Sequence, residues 1–144
     1  MNTQTIKDLL EHVTSECSAI DVEARFDDML DQSYSFDSVG GGFEYLSPSK
    51  VMKEMMPTDY RCGCADYSDS EEWFEINGDY YDQAEVEKAR ESFLSDLESE
   101  ESDKEAQIED ANEADQQDEE LIDELGCELC EIQAKIKEVR DYTF

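Results

Sequence analysis

Residues 96–124, DLESEESDKEAQIEDANEADQQDEELIDE, constrain this chain more than any other stretch. They hold fifteen Asp or Glu and a single basic residue, Lys104. The larger apolar side chains are Leu97, Ile108, Leu121 and Ile122, with three alanines. Such a run cannot build a core alone: it has too little apolar surface to offset chain entropy, and its like charges repel. It can still be helical, because Glu, Gln and Ala favour helix and no Gly or Pro intervenes. Two readings stay open: a solvated, disordered connector, or a rigid acidic face shaped to meet something basic.

The imbalance is global. The 144 residues include 41 acids and 11 bases, for a formal net charge of -30, with 18 acids before residue 82 and 23 from there on. Solubility alone asks for a magnitude of about 2–8. A field this negative speaks against direct contact with nucleic acid or an anionic membrane. It favours a basic protein, above all one whose basic surface binds nucleic acid. Adaptation to high salt is the compositional alternative. No secretory leader pattern is visible, and no run approaches eighteen apolar residues. The five cysteines form an odd set, which predicts reduced thiols in a cytoplasmic compartment.

The local patterns predict an α+β chain, with a small antiparallel sheet covered by helices and a long acidic C-terminal helical segment. Ile6, Leu9, Leu10, Val13, Cys17 and Ile20 recur at helical spacing. Phe26, Met29 and Leu30 mark a second short helical face. Tyr34 and Phe36 alternate with polar residues before three glycines, and Phe43 to Leu46 reads as a returning strand. Ser47-Pro48 opens a helix, with Ser as N-cap and Pro at the first position. Val51, Met52, Met55 and Met56 form its apolar side, read mainly as core, and Pro57 stops it. Residues 58–69 predict one or two helical turns. Trp73 to Ile76, Asn77-Gly78 and Asp79 to Tyr81 predict a tight type I′ hairpin. Asp82 and Glu85 suit a capping box opening another helix. Its apolar periodicity fades past Leu97. The expected division is a small α+β domain over residues 1–98 and an acidic helical extension over 99–144.

The periodicity returns at the end of the chain. Leu121, Leu125, Leu129, Ile132, Ile136 and Val139 form a heptad-like seam. It predicts either packing on the chain's own domain or a homodimer through Leu125, Leu129, Ile132, Ile136 and Val139. Gly126 weakens that helix.

Few residues suit chemistry. Cys62, Cys64, Cys127 and Cys130 could hold a structural zinc if the C-terminal helix folds back, although a one-residue spacing is shorter than zinc sites use. Ordinary reduced thiols are the expectation, with no metal or cofactor. His12 is the sole histidine and has no catalytic partner in sequence. No calcium loop is present, and no carboxylate pair stands apart among 41 acids, so the chain reads as a non-enzyme. The exposed acids carry more information. Asp96, Glu98, Glu100, Glu101, Asp103, Glu105, Glu109, Asp110, Glu113 and Asp115 include pairs three or four apart. On a helix such pairs stand about 5–6 Å apart, a spacing of phosphate-like scale.

The middle of the chain, from Met29-Leu30 through FEYLSPSKVMKEMMPTDYRCGCADY to the aromatic hairpin, resembles small acidic proteins of bacteriophages and prophages. That resemblance spans about residues 26–90 and brings no named activity with it. In composition the whole chain is similar to phage-encoded DNA-mimic proteins, which inhibit restriction enzymes, CRISPR effectors or nucleoid proteins. The similarity implies an inhibitor working in the host cytoplasm, occupying the basic nucleic-acid-binding surface of a defence complex. The alternative is an acidic structural or adaptor protein that recruits a partner, or dimerises, through its C-terminal helix.

Overall fold

The computed structural model describes residues 3–36, 41 and 45–144. In chain order these form α1 (Thr3–Glu16), α2 (Val22–Ser33), α3 (Pro48–Met55), α4 (Pro57–Ser70), β1 (Trp73–Ile76), β2 (Asp79–Asp82), α5 (Gln83–Glu113) and α6 (Glu119–Asp141). The class is α+β: a two-stranded antiparallel sheet with six helices among the described residues, ending in a long acidic helical segment. Two compact units emerge. One comprises the chain up to Ser18 together with Ala84–Phe144, and the other is Ala19–Gln83. The division expected at residue 98 falls inside α5, which passes through it unbroken.

In the unit of residues 19–83, Asp21 starts α2 by accepting a hydrogen bond from the Ala24 N–H at 3.1 Å. Phe26 and Leu30 of α2 and Tyr60 of α4 are buried together, with Met29, Met52, Cys64 and Tyr67 packed around them. Gly63 lets α4 come this close to α2. A Cβ there would meet Phe26 Cζ at 2.9 Å, so the glycine serves a close approach within a helix. Pro57 ends α3 and also occupies the first turn of α4, where its missing N–H costs nothing. That helix runs fourteen residues rather than one or two turns.

Ser47 sits at the N-cap of α3 but makes no side-chain cap bond. Asp31 of α2 supplies the cap instead. Its carboxylate accepts from the Ser49 N–H at 2.9 Å, the Ser49 hydroxyl at 3.0 Å and the Ser47 hydroxyl at 2.9 Å. These donors, the Ser49 N–H first, hold the Asp31 carboxyl below its usual range. A second tie joins α2, α3 and α4. The Tyr60 hydroxyl donates to Asp27 at 2.5 Å, and Lys53 donates to the other Asp27 oxygen at 2.6 Å while pairing with Glu23 at 2.9 Å. The bond to Asp27 raises the Lys53 pKa. Burial, then the bond to Asp27, raises that of Tyr60.

The hairpin forms as its sequence predicts. Asn77 and Gly78 have φ of 55° and 89°, the two left-handed residues a type I′ turn needs. Trp73 pairs with Asp82, Phe74 with Tyr81, Glu75 with Tyr80 and Ile76 with Asp79. Two strands alone are marginal, and the support comes from elsewhere than expected. The Ile20 N–H donates to the Tyr80 carbonyl at 2.7 Å, adding a single bridge beside β2. Tyr67 of α4 meets the Trp73 ring edge-on at 5.7 Å. Tyr34, Ser35 and Phe36 are irregular, and Tyr45 lies in a short 3₁₀ turn. The second hairpin expected across 34–46 is therefore absent from these residues, and its remaining positions, 37–40 and 42–44, lie outside the described residues. Ile20 leaves the α1 stripe because α1 stops at Glu16.

The other unit consists of α1, α5 and α6. Leu9 and Val13 are buried on α1 and Cys17 just past its end, Val86, Ala89 and Leu97 on α5, and Leu125, Ile132, Ile136 and Val139 on α6. Asp118 caps α6 by accepting from the N–H groups of Glu120 and Leu121.

Candidate functional site

The acidic run divides into helix, bend and helix: α5 continues to Glu113, residues 114–118 turn the chain, and α6 begins at Glu119. Helix in so acidic a run needs a partner surface, since most helical stability comes from packing. The inward positions of α5 supply it. Val86, Ala89, Phe93, Leu97, Glu101, Lys104, Ile108 and Ala111 recur at three and four residues and are all buried or half-buried. The apolar stripe does not end at Leu97. Two of its positions are taken by charged residues that bond to α6.

Three cross-links make this explicit. Glu98 pairs with Arg140 at 2.5 Å, Glu101 accepts from Gln133 at 3.0 Å, and Lys104 pairs with Glu128. As the α5 number rises the α6 number falls, so the two helices are antiparallel. The Glu128 bond raises the Lys104 pKa. Nearer the start of α5, Arg90 donates to the Tyr142 carbonyl and lies 4.6 Å from the Phe144 ring. His12 of α1 stands 5.4 Å from the Phe93 ring.

Glu98 and Glu101, two of the ten candidate acids, are thus engaged inside the chain. Asp115 lies in the bend, exposed. The other seven, Asp96, Glu100, Asp103, Glu105, Glu109, Asp110 and Glu113, are exposed on α5 and make no ion pair or hydrogen bond among the described residues. At 100° per residue they form two rows. One is Asp96, Glu100, Asp103 and Asp110, and the other is Glu105, Glu109 and Glu113. Ser99 and Ala106 lie between them, and Ser102 falls within the second. From Asp96 to Glu113 the helix rises about 25 Å. The seven unpaired acids therefore stand at a mean axial spacing of roughly 4.2 Å, shared between the two rows, against about 3.4 Å along one DNA strand. The three pairs spaced four apart, Asp96/Glu100, Glu105/Glu109 and Glu109/Glu113, each cost the helix about 0.2–0.5 kcal/mol. The packed inner stripe overrides that cost.

The C-terminal seam is turned inward within one chain. Val139 is 0 % exposed, and Leu125, Ile132 and Ile136 are buried, while Leu121 at the start is 43 % exposed. Leu129 is half-buried. Most of the seam is therefore covered within one chain.

The four cysteines of the zinc reading are divided, Cys62 and Cys64 in one unit and Cys127 and Cys130 in the other. Cys62 is exposed on α4, whereas Cys64 packs into the Phe26 cluster. Burial, then Glu23 and Asp27, raises the Cys64 pKa. No three His, Cys, Asp or Glu side chains among the described residues come together to hold a metal ion. No helix among them is long and apolar enough to cross a membrane. No family model, curated protein or solved structure matches the chain, so the functional reading rests on residues and geometry.

Proposed function

We propose that this protein is a DNA mimic: a non-catalytic inhibitor that occupies the basic DNA-binding surface of a nucleic-acid-binding protein, with a host defence complex as the target class. One observation carries the reading. The outer face of α5 offers seven unpaired carboxylates in two rows whose combined axial spacing, roughly 4.2 Å, approaches the about 3.4 Å of a single DNA strand. Helical geometry fixes their spacing in advance, so the partner's Lys and Arg meet an ordered lattice rather than a flexible acidic tail. Binding needs no chemical step. It is fast and salt-sensitive, because a field of this strength steers a cationic surface toward the helix.

The charge rows also explain a cost. Like charges stacked along α5 work against the folded state, and binding a cationic channel relieves them. Capture from a bacterial lysate, followed by challenge with duplex DNA, tests the reading. The captured proteins are expected to be basic nucleic-acid binders that DNA displaces, with displacement easier as salt rises. Captured partners that are not basic, or that duplex DNA fails to displace at any salt, would overturn it.

A further inference from the structure

The unit of residues 19–83 carries a surface that the charge reading does not use. Of the large hydrophobic side chains exposed among the described residues, Tyr34, Tyr45, Leu46, Met55 and Met56 fall within 34–56, and only Leu121 lies elsewhere. Met55 is 76 % exposed, Tyr34 63 % and Met56 50 %. In a chain of mean hydropathy -0.77 such clustering is out of character, and two of these residues, Tyr34 and Met56, line one apolar surface, of the kind that marks an interaction site. Tyr34 and Met56 line an apolar groove of about 430 Å³ between the end of α2 and α3, together with Leu30, Val51 and Met52. The expectation that the α3 methionines are core holds for Met52, half-buried against the Phe26 cluster, and fails for Met55 and Met56.

The groove walls are fixed before anything binds. Asp31 clamps α2 to the first turn of α3 through its three hydrogen bonds, and the Asp27–Lys53–Tyr60 tie holds α3 and α4. The lining is adaptable, because unbranched methionines refit to different apolar shapes.

Charge selects the occupant. Residues 19–83 hold 16 acids and 4 bases, a net of -12. Of those bases, Lys53 is already engaged by Asp27 and Glu23 and Lys50 lies near Asp31, while Glu54 on α3 is exposed. A second copy would bring another -30 charges to the same place, and nucleic acid or an anionic bilayer would be repelled likewise. We propose that the α2–α3 groove docks an amphipathic helix of a partner protein, with its apolar face in the groove and flanking Lys and Arg against the acidic surroundings. This surface belongs to a different unit from the α5 rows, and it stands or falls independently of DNA mimicry.

A labelled Leu/Lys peptide, with leucines at i, i+3, i+4 and i+7, is the probe. Its control is a scrambled peptide of identical composition, which keeps the charge and loses the apolar face. Fluorescence anisotropy at moderate salt is expected to give the patterned peptide an advantage of about tenfold. Met55→Gln with Met56→Gln should abolish that advantage; both sites are exposed, so folding is preserved. Amide substitutions on α5 should weaken both peptides alike and leave the ratio intact. In methyl spectra of the unaltered protein, Met55 and Met56 should shift with the patterned peptide only. Equal binding of the two peptides, an advantage that survives in the double variant, or unmoved methionine signals would overturn the proposal. So would self-association by sedimentation that the double variant removes, since the occupant would then be a second copy.

Discussion

The two units spend their residues in opposite ways. In the helical unit most of the apolar seam of α6 is buried, and seven acids of α5 between Asp96 and Glu113 are left outside with no ion pair. In the unit of residues 19–83 charged groups are drawn into ties, Asp31 to Ser47 and Ser49 and Asp27 to Lys53 and Tyr60, while methionines and tyrosines stay exposed. One unit hides its apolar surface and displays charge. The other displays apolar surface beside its charge. In both, the outward groups are the ones stability does not require, and those are the groups to examine for function.

The largest expected effect breaks the first half of that contrast. Ile132→Ala removes a buried side chain of the α6 seam and should destabilise the protein by about 2–5 kcal/mol in denaturant unfolding. Leu121→Ala, on the exposed end of the same seam, should change stability by less than about 0.5 kcal/mol. Equal effects would mean that the seam is not internal.

Next come the two helical glycines, which should respond with opposite sign. Gly63→Ala drives a methyl group against Phe26, and overpacking of this kind costs about 1–3 kcal/mol. At Gly126 an added Cβ meets nothing within 4 Å, so Gly126→Ala should stabilise by up to about 1 kcal/mol through helix propensity. Thermal unfolding of the two variants separates close packing from propensity.

Smaller still is the Asp31 clamp. Asp31→Ala leaves the start of α3 uncapped, at a cost of about 0.5–2 kcal/mol. The carboxyl is held below its ordinary value of 3.8, so its contribution is complete above that pH and disappears as pH falls through the depressed value. Acid titration followed at the α3 amides should show this loosening in the natural sequence and not in the variant. Least of all, Glu109→Gln relieves two like-charge pairs, with Glu105 and Glu113, and should raise stability by about 0.4–1 kcal/mol at low salt. The gain should shrink as salt is added.

Local signals were the legible ones. The Asn77-Gly78 turn, the Ser47-Pro48 helix start, the Leu9–Val13–Cys17 stripe and the α6 seam each depend on residues within a few positions of one another. Contacts across the chain were not legible. Nothing near Ile20 announces that it will bridge Tyr80, and nothing near Asp31 announces that it will cap a helix beginning at Pro48. The length of α4 was hidden by sparse apolar residues and by Gly63, whose role appears only once Phe26 lies beneath it. The rows on α5 were half legible. The acids could be counted, but the inward stripe was missed beyond Leu97, because Glu101 and Lys104 occupy apolar positions in the pattern. The spacing offered a signal: Lys104, the lone base of the run, falls in phase with Leu97 and Ile108. With that stripe placed, Glu98 and Glu101 separate from the seven acids that remain unpaired. Met55 and Met56 were misread for a related reason, since helical spacing alone does not say how many apolar positions the facing helix can cover.

In the proposed function the unpaired carboxylates of α5 act as a fixed set of phosphate-like charges. The most direct measurement compares the natural protein with a variant carrying Asp→Asn and Glu→Gln at residues 96, 100, 103, 105, 109, 110 and 113, each tested for displacing duplex DNA from a captured basic partner. The variant keeps the inner stripe and the three cross-links to α6, so it should fold and be the more stable of the two. It is expected to have lost displacement at every salt concentration at which the natural protein is active. Undiminished displacement by a folded variant would contradict the account.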